Sequence, residues 1–174
     1  MSRDVETAIR TRRTHKAYGA EPVDRGTLEE LFELARWAPN HHLTNPWRFR
    51  VLGEQARSQL AAEAELASPG SAAKLDRAPT LVVASAKLAG DPGERREDLL
   101  AGAIAAYIVL LGAHARGLAG YWRTLPLLET PRVRAMLGIE PDEELLGLLH
   151  LGHQRQAQPA PDRAPVADFA SFLA

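Results

Sequence analysis

Residues 10–52 read RTRRTHKAYGAEPVDRGTLEELFELARWAPNHHLTNPWRFRVL, and the rest of the chain is best read outward from them. The stretch opens on a basic run, Arg12-Arg13-Thr14-His15-Lys16. Two guanidiniums beside a hydroxyl suit a phosphate monoester, because Arg offers bidentate, charge-assisted hydrogen bonds. The plainer alternative is a solvated helix end whose cations answer the macrodipole. Further on, Thr27-Leu28-Glu29-Glu30 fits a capping box, and Leu28, Leu31, Phe32 and Ala35 then share one helical face. Pro39 and Pro46 bracket a polar loop, Asn40-His41-His42-Leu43-Thr44-Asn45. Such a loop is either a rigid platform of donors and acceptors or an ordinary set of turn residues. Beyond it, Trp47, Phe49 and Val51 alternate with Arg48, Arg50 and Leu52, as in a strand with one apolar face.

Upstream, Ser2 to Thr11 reads as a short helix with Ser2 at its N-cap and Val5, Ala8 and Ile9 at helical spacing. Downstream, Gln55 to Ala67 is a second amphipathic helix that stops at Ser68-Pro69-Gly70. Thr80 to Ala86, TLVVASA, is a buried strand by its β-branched content. Glu94 to Arg116 is the longest helix, roughly 35 Å at ~1.5 Å per residue, with Gly117 at its C-cap. From Leu99 to Ala113 it is apolar almost all round, so it needs cover on more than one side. That run falls short of the ~20 residues of a membrane span and follows a charged cluster. A small domain has few places to hide such a helix, and a homodimer interface is the natural cover. Leu118 to Arg123 is a strand ending at Trp122-Arg123-Thr124, where small-molecule sites collect; the bland reading is a strand end with a snorkelling Arg. Thr130-Pro131 opens a further helix closed by Gly138, and Leu145 to Gly152, LLGLLHLG, is another buried strand. After His153 the chain is polar and Pro-rich, with Phe169, Phe172 and Leu173 at its tip, as in an arm that docks on something.

Composition narrows the chemistry. The 174 residues, 45% hydrophobic and 25% charged, suit a single globular domain spanning 1–174. Lys and Arg number 21 against 22 Asp and Glu, a formal net charge of −1, so no global field draws the protein to nucleic acid or an anionic membrane. With no cysteine, disulfides, iron–sulfur clusters, thiolate metal sites and Cys nucleophiles are excluded, and a redox role requires a bound organic cofactor. The six histidines lack metal-site spacing, so no metal is expected. Neither common glycine-rich phosphate cradle is present, nor a nucleophile elbow; side chains and helix ends would have to hold any phosphate. The opening MSRDVETAIRTRR is charged, without the apolar core of a signal peptide, and a cytoplasmic location is expected.

Taken together, the basic run with its hydroxyl, the polar loop ending in Pro46-Trp47-Arg48-Phe49, the long apolar helix, GLAGYWRTLPLLETPRVRAMLGI and LLGLLHLGH resemble the FMN-dependent nitroreductase family, in its compact YdjA-like branch. The resemblance covers nearly the whole chain. It implies an α+β fold, an α/β/α sandwich with a mostly antiparallel central sheet, and an obligate homodimer with FMN at the interface. By motif match, Arg12, Arg13 and Thr14 would hold the phosphate and ribityl groups. Lys16 would serve the flavin N1–C2 edge. His41 and Asn45 would come from the other subunit, and Trp122, Arg123 and Thr124 would line the isoalloxazine. A C-terminal basic residue for the phosphate matches either Arg155 or Arg163. The chain departs from the family in carrying Thr14 for the commoner Ser, Asn45 where Gln is usual, and His41-His42 in place of small and Asn residues.

The implied activity is reduction of a nitroaromatic, quinone or similar small-molecule acceptor by NAD(P)H in ping-pong order. The flavin carries the electron chemistry, and no side chain acts as a strong acid or base. Two other classes stand beside it. One is a flavin carrier or regulator without nicotinamide turnover, whose bound flavin NAD(P)H would fail to bleach. The other is a flavin-free binding module, which would be colourless and indifferent to FMN.

Overall fold

Two strands are buried on both faces along most of their length, and the alternation of their side chains between those faces builds the molecule. In the computed structural model, which describes residues 4–173, β2 (Thr80–Lys87) and β4 (Glu143–His153) lie side by side at the middle of a four-stranded sheet. Strands β1 (Trp47–Val51) and β3 (Leu118–Arg123) complete it in the order β1-β2-β4-β3, every pair antiparallel. Val82, Ala84 and Ala86 of β2 and Leu149 and Leu151 of β4 face one layer of helices. Leu81, Val83 and Leu148 face the other. Successive strand residues point to opposite faces, so two apolar faces require two covering layers.

The first layer is α2 (Arg25–Ala35) and α5 (Pro92–Ala115), with Leu28, Leu31 and Ala35 packed against Ala105, Ala106, Val109 and Ala113. The second is α3 (Glu54–Ala67), α4 (Ala72–Leu75) and α6 (Pro131–Met136), through Leu60, Ala64, Leu75 and Val133. The short α1 (Val5–Thr11) leans on the far end of α5, where the Thr11 hydroxyl lies 2.9 Å from His114 Nε2. The expected α/β/α sandwich with its antiparallel sheet is therefore present. Helix α5 is long and apolar enough by itself to cross a membrane, but here it is packed into the core.

Four helix starts differ from the sequence reading, that of α3 by a single residue, at Glu54. Ser2 lies outside the described residues; Asp4 caps α1, accepting from the Thr7 amide at 2.9 Å. Helix α2 begins at Arg25, not at Thr27: Asp24 is the cap and takes both the amide and the hydroxyl of Thr27, at 2.9 and 2.7 Å. A carboxylate at the N-cap adds charge to the hydrogen bond, so the Asp wins over the Thr three residues later. Helix α5 likewise begins earlier, at Pro92, with Asp91 accepting from the Gly93 and Glu94 amides. Its end falls one residue earlier than the sequence reading, at Ala115, with Arg116 as the C-cap and Gly117 left-handed at φ 79° just beyond it.

Two devices fix the sheet. Arg50 of β1 crosses under β2 to Glu143 of β4, with Nη2 and Nη1 2.6 and 2.8 Å from its two carboxylate oxygens. The Ser85 hydroxyl donates to the same carboxylate at 2.5 Å. Burial pushes the Glu143 carboxyl up, but the Arg50 and Ser85 hydrogen bonds outweigh it and hold it below its usual range. The second device is a bulge, where Ala84 faces Gly147 but Ser85 faces Leu145, leaving Leu146 as an extra residue. The freed Leu146 carbonyl accepts from the Trp122 indole N–H at 2.7 Å. Gly147 is required there, at φ 138°, because a Cβ would fall 2.7 Å from both the Trp122 Nε1 and the Arg123 carbonyl.

Removing one partner of the Arg50–Glu143 pair leaves the other buried and uncompensated. Arg50→Ala is expected to lower stability by about 3–5 kcal/mol, as read from the urea unfolding midpoint, whereas Arg48→Ala on the same strand should change it little.

Candidate functional site

The chain between α1 and α2 runs along the free edge of β3. Thr14 bridges Gly120 in parallel register, and the His15 amide donates to the Gly120 carbonyl at 3.1 Å. Tyr18 then bridges Gln154, and the Gly19 amide donates to the His153 carbonyl at 2.9 Å. Thr14 and Lys16 are left exposed while His15 between them is buried, as alternation along an extended segment demands.

Alternation on β3 decides the rest. The indole N–H bond to Leu146 holds Trp122 on the α5 face of the sheet. Tyr121 and Arg123 therefore face the other way, into a cavity of about 190 Å³ that Lys16 also lines. Lys74 and Arg77, on and just after the short α4, close its far side. The four cations Lys16, Lys74, Arg77 and Arg123 have no acidic residue among them in the lining. None of the four appears in an ion pair among the described residues. Clustered cations without counter-charges attract an anionic or electron-rich ligand.

At the base of the cavity are Tyr18, whose hydroxyl donates to the His15 carbonyl at 2.7 Å, and His150 of β4. His150 is 2% exposed, and its Nε2 has no hydrogen-bond partner. Leaving such an atom unpaired costs about 1–3 kcal/mol. Burial, with the charges of Arg123, Arg57 and Arg77 adding to it, pushes the imidazole down to about 4. His15 is buried as well, with neither ring nitrogen partnered, and burial and Arg12 lower its proton affinity.

The other residues singled out from the sequence are spread over the molecule. Arg12 lies with its guanidinium 5.8 Å from the Tyr107 ring centroid, beside the middle of α5. Arg13 turns back on the chain: Nη1 donates to the Arg10 and Arg12 carbonyls at 2.7 Å each, and Nε to the Pro159 carbonyl at 3.3 Å. That last bond ties the C-terminal arm to the basic run. Thr124 lines a separate cavity of about 230 Å³ with Leu125, Glu129 and Leu145. Arg155 lines a shallow groove with Tyr18 and Arg77, and Arg163 is exposed on the arm.

His41 and Asn45 sit at the opposite end of α5. His42, Leu43 and Asn45 all take left-handed backbone, at φ 49°, 53° and 47°. Such strain persists only where the surroundings over-determine it. Here buried Asp98 of α5 accepts from the Thr44 hydroxyl at 2.6 Å and the Ala89 amide at 2.9 Å, and Asn40 Oδ1 accepts from the Asn45 amide at 2.9 Å. His41 Nδ1 lies 3.7 Å from Glu97, with its ring against His42. From Asp98 to Tyr107 is roughly 14 Å along the axis at ~1.5 Å per residue, so this loop and Arg12 do not meet within one chain.

The structure thus joins Lys16 to Arg123 and sets Arg12, Trp122, Thr124, His41 and Asn45 apart from them. Lys74, Arg77 and His150 were missed by sequence reasoning. His150 had one signal, as the only polar side chain in LLGLLHLG; the two cations had none, because α4 is four residues long and lacks a periodic pattern.

The model of the Nitroreductase family matches residues 9–153, and the chain belongs to that family. It is 25% identical over 173 residues to YfhC of Bacillus subtilis, which carries the provisional name NAD(P)H nitroreductase, covering 92% of this chain and 89% of that one. With YdjA of Escherichia coli K12, provisionally named likewise, it shares 28% over 145 residues, 76% of this chain and 79% of the other. In fold it is similar to a nitroreductase-like family protein from Bacillus cereus, with a TM-score of 0.89 at 24% identity over 99% and 97% of the two chains. It is also similar to the FMN-dependent nitroreductase NfnB of Mycobacterium smegmatis, solved with NADPH, with a TM-score of 0.80 at 20% identity over 97% of each chain.

The depressed proton affinity of His150 has a consequence for stability. Below the ordinary value of 6.5 the unfolded chain binds a proton at this site that the folded chain refuses until about 4. Stability is therefore full above pH 6.5 and falls as the pH drops toward 4, by on the order of 3 kcal/mol for this group. Urea unfolding of the flavin-free chain across that window, with His150→Leu as reference, is expected to give a flatter profile for the variant.

Proposed function

We propose that the chain is a single FMN-binding unit and a flavoenzyme of the nitroreductase type, oxidising NAD(P)H and reducing a nitroaromatic, quinone or similar small acceptor. The observation that carries this reading is the cavity of unpaired cations with an orphaned imidazole, reached by Lys16 from the same short segment that holds Arg12, Arg13 and Thr14. These groups fit FMN, which has a dianionic phosphate at one end and an electron-rich ring edge at the other. Arg12, without a carboxylate partner among the described residues, is the natural phosphate ligand. Arg13 braces the turn against the C-terminal arm, and Thr14 offers its hydroxyl on the exposed side. Lys16 and Arg123 would meet the ring edge, whereas Trp122, on the other face of the sheet, and Thr124, in the neighbouring cavity, stand apart from that edge.

When bound, FMN supplies the two-electron transfer between nicotinamide and acceptor. The part of the protein is to hold it, to exclude water and to set positive charge beside the N1–C2 edge, where negative charge collects on reduction. That role requires no side chain acting as an acid or base. A reaction drawing on NAD(P)H suits a cytoplasmic setting, and nothing in the site calls for nucleic acid or a membrane.

The site is incomplete in one chain, and the outer face of α5 supports a homodimer that completes it. Leu100, Ile104 and Tyr107 follow at helical spacing and are 55%, 41% and 36% exposed. Ile9, Leu34, Trp37 and Leu43, on or just beyond elements that pack against α5, are exposed as well. A two-fold pairing along α5 would carry His41 and Asn45 of one chain toward Arg12 of the other, across the distance that separates them within a chain.

The purified protein is expected to be yellow, and its visible flavin bands should bleach on adding NADPH under argon. Bound flavin that NADPH leaves coloured would point to a carrier instead. Arg12→Ala should weaken FMN by about 2–4 kcal/mol and leave riboflavin, which has no phosphate, nearly unaffected. Sedimentation is expected to return twice the chain mass at micromolar concentration, and a folded monomer there would overturn the dimer.

A further inference from the structure

Strand β4 is apolar from Leu145 to Gly152 except at His150. A strand that buries Leu148, Leu149 and Leu151 gains nothing for packing from an imidazole at the next inward position. Yet His150 is 2% exposed, lies in the lining of the cationic cavity, and keeps Nε2 without a partner. Tyr121 holds the ring in place, with centroids 5.4 Å apart and planes tilted by 32°.

The rest of the lining sharpens what the imidazole is for. Lys16, Lys74, Arg77 and Arg123 are donors only, while the Tyr18 and Tyr121 hydroxyls can also accept. A cavity made of the four cations alone would serve a phosphate or a carboxylate, which accept and never donate. A neutral imidazole brings both a donor and an acceptor. The complement of such a lining is a ring edge that alternates carbonyl oxygens with an N–H, and not a simple oxyanion. The imide edge of a flavin, C2=O, N3–H and C4=O, has that pattern.

We propose that His150 is a cofactor-binding residue that accepts a hydrogen bond from the flavin N3–H while Lys16 and Arg123 donate to the flanking oxygens. The proposal rests on the FMN reading above and adds to it a residue that selects the ring by its imide group.

The test uses the intact protein with FMN, riboflavin and N3-methyl-riboflavin, titrated by quenching of flavin fluorescence, in wild type, His150→Leu and His150→Gln. Wild type should bind riboflavin roughly tenfold more tightly than the N3-methylated ring, the worth of one buried hydrogen bond. His150→Leu should lose affinity for FMN and riboflavin by the same factor and no longer distinguish the methylated ring. His150→Gln, which keeps an acceptor, should recover most of the discrimination, and it carries the test if the Leu variant fails to fold. An unchanged preference against the methylated ring in His150→Leu, or its complete loss in His150→Gln, would overturn the role of His150 while Arg12→Ala still weakens FMN. A wild-type protein that binds none of the three flavins would overturn the FMN reading itself, and with it this one.

Discussion

The packing of α5 against the sheet is the constraint on which the rest of the structure depends. Its buried surface is built of small residues, among them Gly102, Ala105, Ala106 and Ala113, so the helix axis approaches the sheet closely, while Gly112 makes room for Leu31 and Leu34 of α2. At Gly102 a Cβ would come within 2.8 Å of that of Ala86, so the approach leaves no room for a side chain. A helix so seated spans the molecule from the Thr44–Asp98 tether at one end to the Thr11–His114 contact at the other. It therefore sets the distance between the two halves of the candidate site. It also presents Leu100, Ile104 and Tyr107 outward, each left partly exposed by the described residues.

The second organising feature is the bulge at Leu146. One extra residue in β4 frees a carbonyl, that carbonyl takes the indole of Trp122, and Gly147 supplies the backbone space. With Trp122 held on the α5 face, strand alternation turns Tyr121 and Arg123 to the other face beside His150. A packing detail in the sheet thus decides which charges meet in the cavity. The Arg50–Glu143–Ser85 network lies next to the same bulge and ties three strands together there. Rigidity of this kind beneath a ligand pocket lets a site hold its donors in place without a ligand present.

Much of this was legible in the sequence. The capped, periodic pattern of Leu28, Leu31 and Ala35 marked α2, and TLVVASA and LLGLLHLG marked the two central strands, because burial of apolar faces imposes periods that survive in one dimension. The all-round apolarity of 99–113 marks a helix that needs cover on more than one side, and in the folded chain Leu100, Ile104 and Tyr107 stay partly exposed. Cap identity was less legible. Asp24 displaced Thr27, and Asp91 lengthened α5, because a helix start is settled by competition between nearby acceptors and not by a motif alone.

The layers, the membership in a family with a basic run and a polar loop, and the absence of cysteine chemistry can all be read along the chain. These follow from local patterning, composition and residue order, which need no third dimension. Which side chains share a cavity is a property of the folded chain. Lys74 comes from a four-residue helix, Arg77 from the turn after it, Lys16 from a segment pinned to a sheet edge, and His150 from the middle of a strand. Nothing in the spacing of residues 16, 74, 77, 123 and 150 relates them, because their meeting depends on strand order, on a bulge and on the hand of alternation. Those properties arise when two apolar faces must be buried at once, and they exist only once the sheet has formed.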